Sequence, residues 1–196
     1  KNQFTGQTVA DAVKQFMFNR DPSELIFQHN KRTLIHFAID TDEVYMTTQL
    51  QGDKTVFLPF NSGNNGGSGN AKVDKGYRTS YLWENVLEKD SIIEIISKFL
   101  HLQKKEIIEN DRVRTKEILI FPRFHQLDVV RKLEFDVKNS KITKNYLIQH
   151  SAGSGKSNSI AWLAHSLAIL HDSNENTMFN SIIVITDRRI LDSQLQ

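Results

Sequence analysis

Cysteine is absent from all 196 residues. That excludes a disulfide framework and any thiolate metal site, and it fits a reducing compartment such as the cytoplasm. No apolar run approaches the roughly 20 residues that span a bilayer. No secretory leader is visible either, so no membrane role is expected. Charge of one sign is scarce: 25 basic and 23 acidic side chains leave a formal +2, too little to argue for or against a polyanionic partner. The seven histidines show no metal-ligand spacing, and His36 reads as a strand or core residue. What is present, 39% hydrophobic and 24% charged residues, suits a globular chain with one good core or two modest ones.

The rest of the chain is organised around NYLIQHSAGSGKSNSIAWLAH, Asn145 to His165. The apolar run from Tyr146 to Ile148 predicts a strand. Ser151-Ala152-Gly153-Ser154-Gly155-Lys156-Ser157 is a glycine-rich turn, after which Ile160, Leu163, Ala164 and Leu167 recur at helical spacing. Strand, glycine-rich turn and helix together bind a nucleoside triphosphate. Glycine lets the backbone approach phosphate oxygens, and successive N–H groups with the helix N-terminus form an anion nest. Lys156 is expected to reach the β- and γ-phosphates, and the Ser157 hydroxyl to ligate Mg²⁺. The common pattern G-x-x-x-x-G-K-[ST] has glycine six residues before the lysine, where this chain has His150. The retained core, G-S-G-K-S, is closer to the loops of helicase-type motors than to those of kinases or small GTPases. The bland alternative is a chance glycine-serine turn, and the correctly placed strand and helix argue against it.

Upstream, Thr8 and Asp11 sit at capping-box spacing ahead of Val9, Ala12, Val13 and Phe16, which predicts a helix that Asp21-Pro22 stops. RTLIHFAID and EVYMTTQL flank Thr41-Asp42 as a hairpin, with Leu34 to Ile39 expected to be buried on both faces. Thr55 to Phe60 predicts a third strand. The segment Asn61 to Asn70, NSGNNGGSGN, is either a flexible linker or an ordered asparagine-glycine loop. A helical stretch begins at Tyr81. It restarts at Ser91, where Ser91-x-x-Glu94 reads as a capping box before Ile92, Ile95, Ile96, Phe99 and Leu100. The charged run Gln103 to Glu117 reads as a solvated connection, which divides the chain into 1–117 and 118–196. ILIF (Ile118 to Phe121) leads into a helix through Leu127, Val130, Leu133 and Val137. After the loop helix, Ser181 to Thr186 predicts a buried parallel strand. The chain starts at Lys1 without an initiator methionine and reaches Gln196 within a helical pattern, so it reads as a segment of a larger protein.

Two further groups bear on chemistry. Gln126 opens the helix upstream of the loop, and its amide can pair with the N6 and N7 edge of adenine, with Phe124 or Arg123 stacking on the base. An ordinary surface glutamine is the competing reading. Arg188 and Arg189 follow the strand after the loop helix, at the edge where ligands gather in open α/β sheets. They suit contact with a DNA backbone, or equally ion pairs with Asp187 and Asp192.

Taken together, KNQFTGQ, HFAIDTDEVYMTTQL, PFNSGNNGGSGN, YRTSYLWENVLEKDS, IFPRFHQLDVVRKL, NYLIQHSAGSGKSNSIAWLAH and VITDRRILDSQLQ resemble the motor (restriction) subunit of type I restriction-modification enzymes. The resemblance implies an α/β fold: the end of a PD-(D/E)xK nuclease-type domain over 1–117, then the first half of a RecA-like P-loop domain of the superfamily 2 helicase type over 118–196. It also implies ATP-dependent translocation on double-stranded DNA coupled to cleavage, with ATP and Mg²⁺ as cofactors and the methylation and specificity subunits as partners. In that pattern HSAGSGKS is motif I, Phe124 to Gln126 resembles the adenine-reading region, and TDRRILDSQLQ resembles motif Ia, which tracks DNA backbone. Lys1 would be the nuclease lysine. Gln15 resembles the glutamine of a Q-x-x-x-Y element, although Asn19 stands where the tyrosine would be. The metal-binding carboxylates of both sites would lie outside this sequence. A small-molecule kinase or GTPase, or a segment that only binds ATP and DNA, are the competing readings.

Overall fold

The computed structural model describes residues 5–109, 112–140 and 144–186. The chain divides into two compact units between Phe124 and His125.

The first unit opens with helix α1 (Val9–Phe18). The Thr8 backbone N–H donates to the Asp11 carboxylate at 2.8 Å, as the capping-box spacing predicts. The Val9 N–H donates at 2.6 Å to Asp40, whose other carboxylate oxygen accepts from the N–H groups of Asp42 and Glu43. One aspartate thus fixes both the helix start and the turn of the adjacent hairpin. That hairpin joins β1 (His36–Ile39) to β2 (Val44–Thr47), antiparallel with Ile39 opposite Val44. Val9 and Ala12 of α1 are buried against Ala38, with Val13, Phe16, Tyr45 and Phe57 around them. The predicted burial of β1 on both faces is softened. His36 and Ala38 are buried, whereas Phe37 and Ile39 are half-buried. The third strand is short: only Leu58–Pro59 (β3) pairs with β2.

Between residues 61 and 70 the ordered-loop reading holds. Asn70 is buried, its Oδ1 accepts from the Ser62 N–H at 2.7 Å, and its amide nitrogen donates to the Asp42 carbonyl at 2.7 Å. Behind this loop, Tyr81 donates its hydroxyl to the Phe60 carbonyl at 2.7 Å, and burial pushes its phenol well above the ordinary range. Phe60 is fully buried and meets Phe37 and Phe121 with ring centroids 5.3 and 6.2 Å away. Each such buried aromatic contributes about 1.5–3 kcal/mol.

The next helical region departs from expectation. It runs as a π-helical turn (Leu82–Val86), helix α2 (Lys89–Glu94) and a second π-helical turn (Ile95–Phe99). Its cap is Glu88 rather than Ser91: the Glu88 carboxylate accepts from the N–H groups of Asp90 and Ser91. The Ser91 hydroxyl donates instead to the Val86 carbonyl at 2.9 Å. The wider π spacing buries Ile95 and Phe99 and leaves Ile96 exposed. The charged run predicted as a connection is a two-stranded antiparallel ribbon, β4 (His101–Glu109) with β5 (Arg112–Ile120). Ladder bonds hold the two strands to each other, and the outward N–H and C=O groups of each are left to solvent among charged side chains.

In the second unit, α3 (Phe124–Asn139) buries Gln126, Leu127, Val130 and Leu133, the predicted face. Near its C-terminus Asp136 accepts from the Tyr146 hydroxyl at 2.6 Å and from the Lys144 ammonium at 2.9 and 3.0 Å. Those bonds hold its carboxyl below the usual range. Helix α4 (Lys156–Ala168) follows the glycine-rich turn. The two predicted strands of a parallel sheet are corrected. Neither 146–149 nor 181–186 takes part in a ladder. Leu147, Ile183 and Ile185 are 94%, 81% and 90% exposed. A β-branched apolar run becomes a strand only where a neighbour supplies the ladder, and the described residues supply none. The described sheets are both small and antiparallel, in a mixed helix and strand fold.

His36 gives the first unit a pH dependence. It is 7% exposed, with the Phe16 and Phe27 rings 5.5 and 5.9 Å away. Burial, then the neighbouring His29, lowers its pKa below 6.5. The unfolded chain therefore binds more protons, so stability is full above about pH 6.5 and falls as pH drops through and below that value. Hydrogen exchange of the β1 and β2 amides at pH 7.5 and 5.5 should show faster opening at the lower pH. His36→Phe should flatten that difference, and an equal pH response in the variant would refute the assignment.

Candidate nucleotide-binding site

The glycine-rich turn is built by what its backbone can adopt. Gly153 and Gly155 have φ of +73° and +80°, in the left-handed region that costs other residues roughly 1–2 kcal/mol. Gly155 is also the N-cap of α4, and its carbonyl accepts from the N–H groups of Asn158 and Ser159. It is glycine for a second reason. A Cβ there would lie 2.5 Å from the amide nitrogen of Gln126.

The start of α3 holds the turn by its carbonyls. Gln126 Nε2 donates to the Gly155 carbonyl at 2.8 Å and to the Ser154 carbonyl at 3.3 Å. His125 Nε2 lies 3.0 Å from the same Ser154 oxygen. A carbonyl only accepts, so this contact fixes the proton on Nε2. The His125 ring meets the His150 ring edge-on, with centroids 4.9 Å apart. His150, in the place of the usual first glycine, therefore packs against the strut that supports the turn. Lys156 reaches back over the turn, its ammonium donating to the carbonyls of Ser151 at 2.9 Å and His150 at 3.2 Å. Among the described residues the buried Nδ1 of His150 and the hydroxyls of Ser154 and Ser159 have no hydrogen-bond partner.

The predicted site residues are thus distributed unevenly. Ser151, Ala152, Gly153, Ser154, Gly155, Lys156 and Ser157 form one turn and the first residues of α4, and Gln126 joins them from α3. Gln126 is 3% exposed, and its amide nitrogen is directed at the turn. Phe124 meets Tyr81 and Phe60 edge-on at 5.0 and 5.9 Å, within the aromatic cluster of the first unit. Gln15 lies half-buried in α1 of the first unit, its carbonyl accepting from the Asn19 N–H at 3.0 Å. Lys1, Arg188 and Arg189 lie outside the described residues. Sequence reasoning overlooked His125. Its signal was present in the pair His125-Gln126 ahead of a turn whose first glycine is also histidine.

The arrangement suits a polyphosphate. A 13-residue helix starts at the turn, its positive end beside the Lys156 ammonium and the Ser157 hydroxyl. Ser157 would supply one oxygen to Mg²⁺. Among the described residues no cluster of three His, Cys, Asp or Glu side chains could hold a metal. Among them too, no helix is long and apolar enough to cross a membrane.

Gly155→Ala should weaken binding of a fluorescent ATP analogue by at least tenfold while circular dichroism stays near wild type, since strain of about 1–2 kcal/mol adds to the collision with Gln126. Adding Gln126→Ala should restore part of that loss by removing the colliding amide. Undiminished binding by the single variant would show that the turn does not need its observed geometry.

The SWI2/SNF2 ATPase family matches residues 125–196. No curated protein and no solved structure matches the chain. The matched residues contain the whole turn, α3 from His125 onward and α4. The segment from residue 125 to 196 is accordingly similar to a helicase-like ATPase domain.

Proposed function

We propose that this chain belongs to the motor subunit of a type I restriction-modification enzyme, which translocates double-stranded DNA with ATP and couples that movement to cleavage. The observation that carries the reading is the glycine-rich turn at the start of α4, with Lys156 and Ser157 following Gly155, inside a segment similar to SWI2/SNF2 ATPases. The order of the other motifs along the chain supports the finer assignment. Residues 1–117 would be the end of a PD-(D/E)xK nuclease domain and residues 118–196 the start of the first RecA-like motor domain.

The chain's own groups divide the work. Backbone N–H groups of the turn and the Lys156 ammonium would bind the phosphates and offset their charge. Ser157 would orient Mg²⁺. ATP, when bound, supplies the phosphoryl group whose transfer to water drives movement. Gln126 would brace the turn beneath the phosphates, its amide nitrogen donating to the Ser154 and Gly155 carbonyls. Arg188 and Arg189 would grip the DNA backbone. On the nuclease side Lys1 would steady the scissile phosphate and Gln15 would assist it. The methylation and specificity subunits would direct the complex to its sites.

A kinase would turn over ATP without DNA, whereas a motor is stimulated by it. In the intact subunit, ATP turnover should rise on adding duplex DNA. Lys156→Ala should abolish the stimulated rate and lower nucleotide affinity on the order of tenfold to a hundredfold, as expected for a charge-assisted contact of roughly 1.5–3 kcal/mol. Turnover indifferent to DNA, or unaffected by Lys156→Ala, would remove the motor reading.

A further inference from the structure

The β4–β5 ribbon has two faces of different charge. Its register sets Lys105 opposite Lys116, Lys104 opposite Glu117 and Glu106 opposite Thr115. Successive residues of a strand alternate between faces. Lys104, Glu117, Glu106 and Thr115 therefore share one face, and Lys105 and Lys116 share the other with Gln103 and Ile118. The first face sets one lysine against two glutamates, a net −1, and Lys104 Nζ lies 3.8 Å from Glu117 Oε1. On the second face two exposed lysines oppose each other directly, and neither has an ion-pair partner among the described residues.

Like charges directly opposed across a ladder destabilise it. Among the described residues the ribbon is a sheet of only two strands, with no third strand to compensate. Lysine on an exposed edge does deter pairing with other chains, yet that purpose is met by charge on either face and does not explain its concentration on one. A polyanion relieves the repulsion directly. At about 3.3 Å per residue, strands of nine residues reach about 30 Å, and a two-stranded ribbon is narrow enough to lie along a groove of B-DNA.

We propose that the Lys105/Lys116 face of this ribbon contacts the phosphate backbone of duplex DNA without regard to sequence. The choice of duplex DNA over an acidic protein surface rests on the motor reading above. The charge asymmetry does not. The test titrates the full chain, without nucleotide, against fluorescent duplexes of two unrelated sequences over a range of salt.

Lys105→Gln with Lys116→Gln should weaken binding to both duplexes alike, on the order of tenfold to a hundredfold at moderate salt. It should also shallow the slope of log affinity against log salt by about 1.8, since each phosphate contact carries about 0.9. Lys104→Gln should leave affinity and slope as in wild type. The double variant should melt no lower than wild type, because it removes a repulsion. Unchanged affinity and slope in the double variant would overturn the proposal, as would an equal loss in Lys104→Gln. Polyglutamate that displaces the ribbon's contact as well as unlabelled duplex would assign the face to an acidic protein instead. Lys156→Ala carried alongside separates the two readings, because it should lose nucleotide while keeping the ribbon's salt slope.

Discussion

Two side chains at the start of α3 decide which way the glycine-rich turn faces. His125 and Gln126 occupy the carbonyl oxygens of Ser154 and Gly155. The C=O and N–H of a trans peptide point in opposite directions, so anchoring the carbonyls to α3 directs the adjoining N–H groups away from it. The orientation of the turn's peptides is thus imposed from a helix nearly thirty residues upstream, not only by its own glycines. The same anchoring explains why Gly155 tolerates no side chain and why a histidine can replace the usual first glycine. His150 has a ring partner in His125, and its carbonyl is one of the two that receive Lys156.

How much of this the sequence disclosed depended on how local each determinant is. The helix start at Thr8, the hairpin turn before Val44 and the helix that follows Gly155 are set by residues within a few positions of one another, and each was legible. Gln126 stood out in the sequence for its amide, but the contact it makes was not legible. An amide pairs with any suitable donor or acceptor, and only folding reveals that two carbonyls lie in reach. Glu88 displaced Ser91 as the cap of α2 because its longer side chain reaches forward to the N–H groups of Asp90 and Ser91, and no spacing rule distinguishes those options. The runs at 146–149 and 181–186 misled for the opposite reason. Their composition records a preference for burial in a sheet, but ladder partners belong to other segments, and the described residues offer none.

The first unit is held by aromatic side chains drawn from distant parts of the chain. Phe37, Phe60, Tyr81, Phe121 and Phe124 meet edge-on or tilted around the buried Phe60. Such contacts link the hairpin, the residues after β3, the π-helical region and the end of the ribbon. Periodicity marks each of these residues as apolar without saying which will meet, so the cluster was invisible in the sequence. Phe124 is the point at which the first unit ends and α3 begins.

Asn70 closes its loop as a clasp. Its side chain joins Ser62, Asn61 and the carbonyl of Asp42, and Asn61 in turn accepts from the N–H of Val44. Every one of those bonds is made from the two ends of the loop. Between them the backbone bonds only to itself, Gly63 with Gly69 and Asn64 with Gly67. The ends therefore brace the hairpin, while the residues they enclose carry little of the sheet's stability. Length within the clasp is then nearly free to drift, at an entropic cost that grows only with the logarithm of loop size. This makes the interval from 64 to 67 a natural point of insertion in a chain whose flanking asparagines must stay.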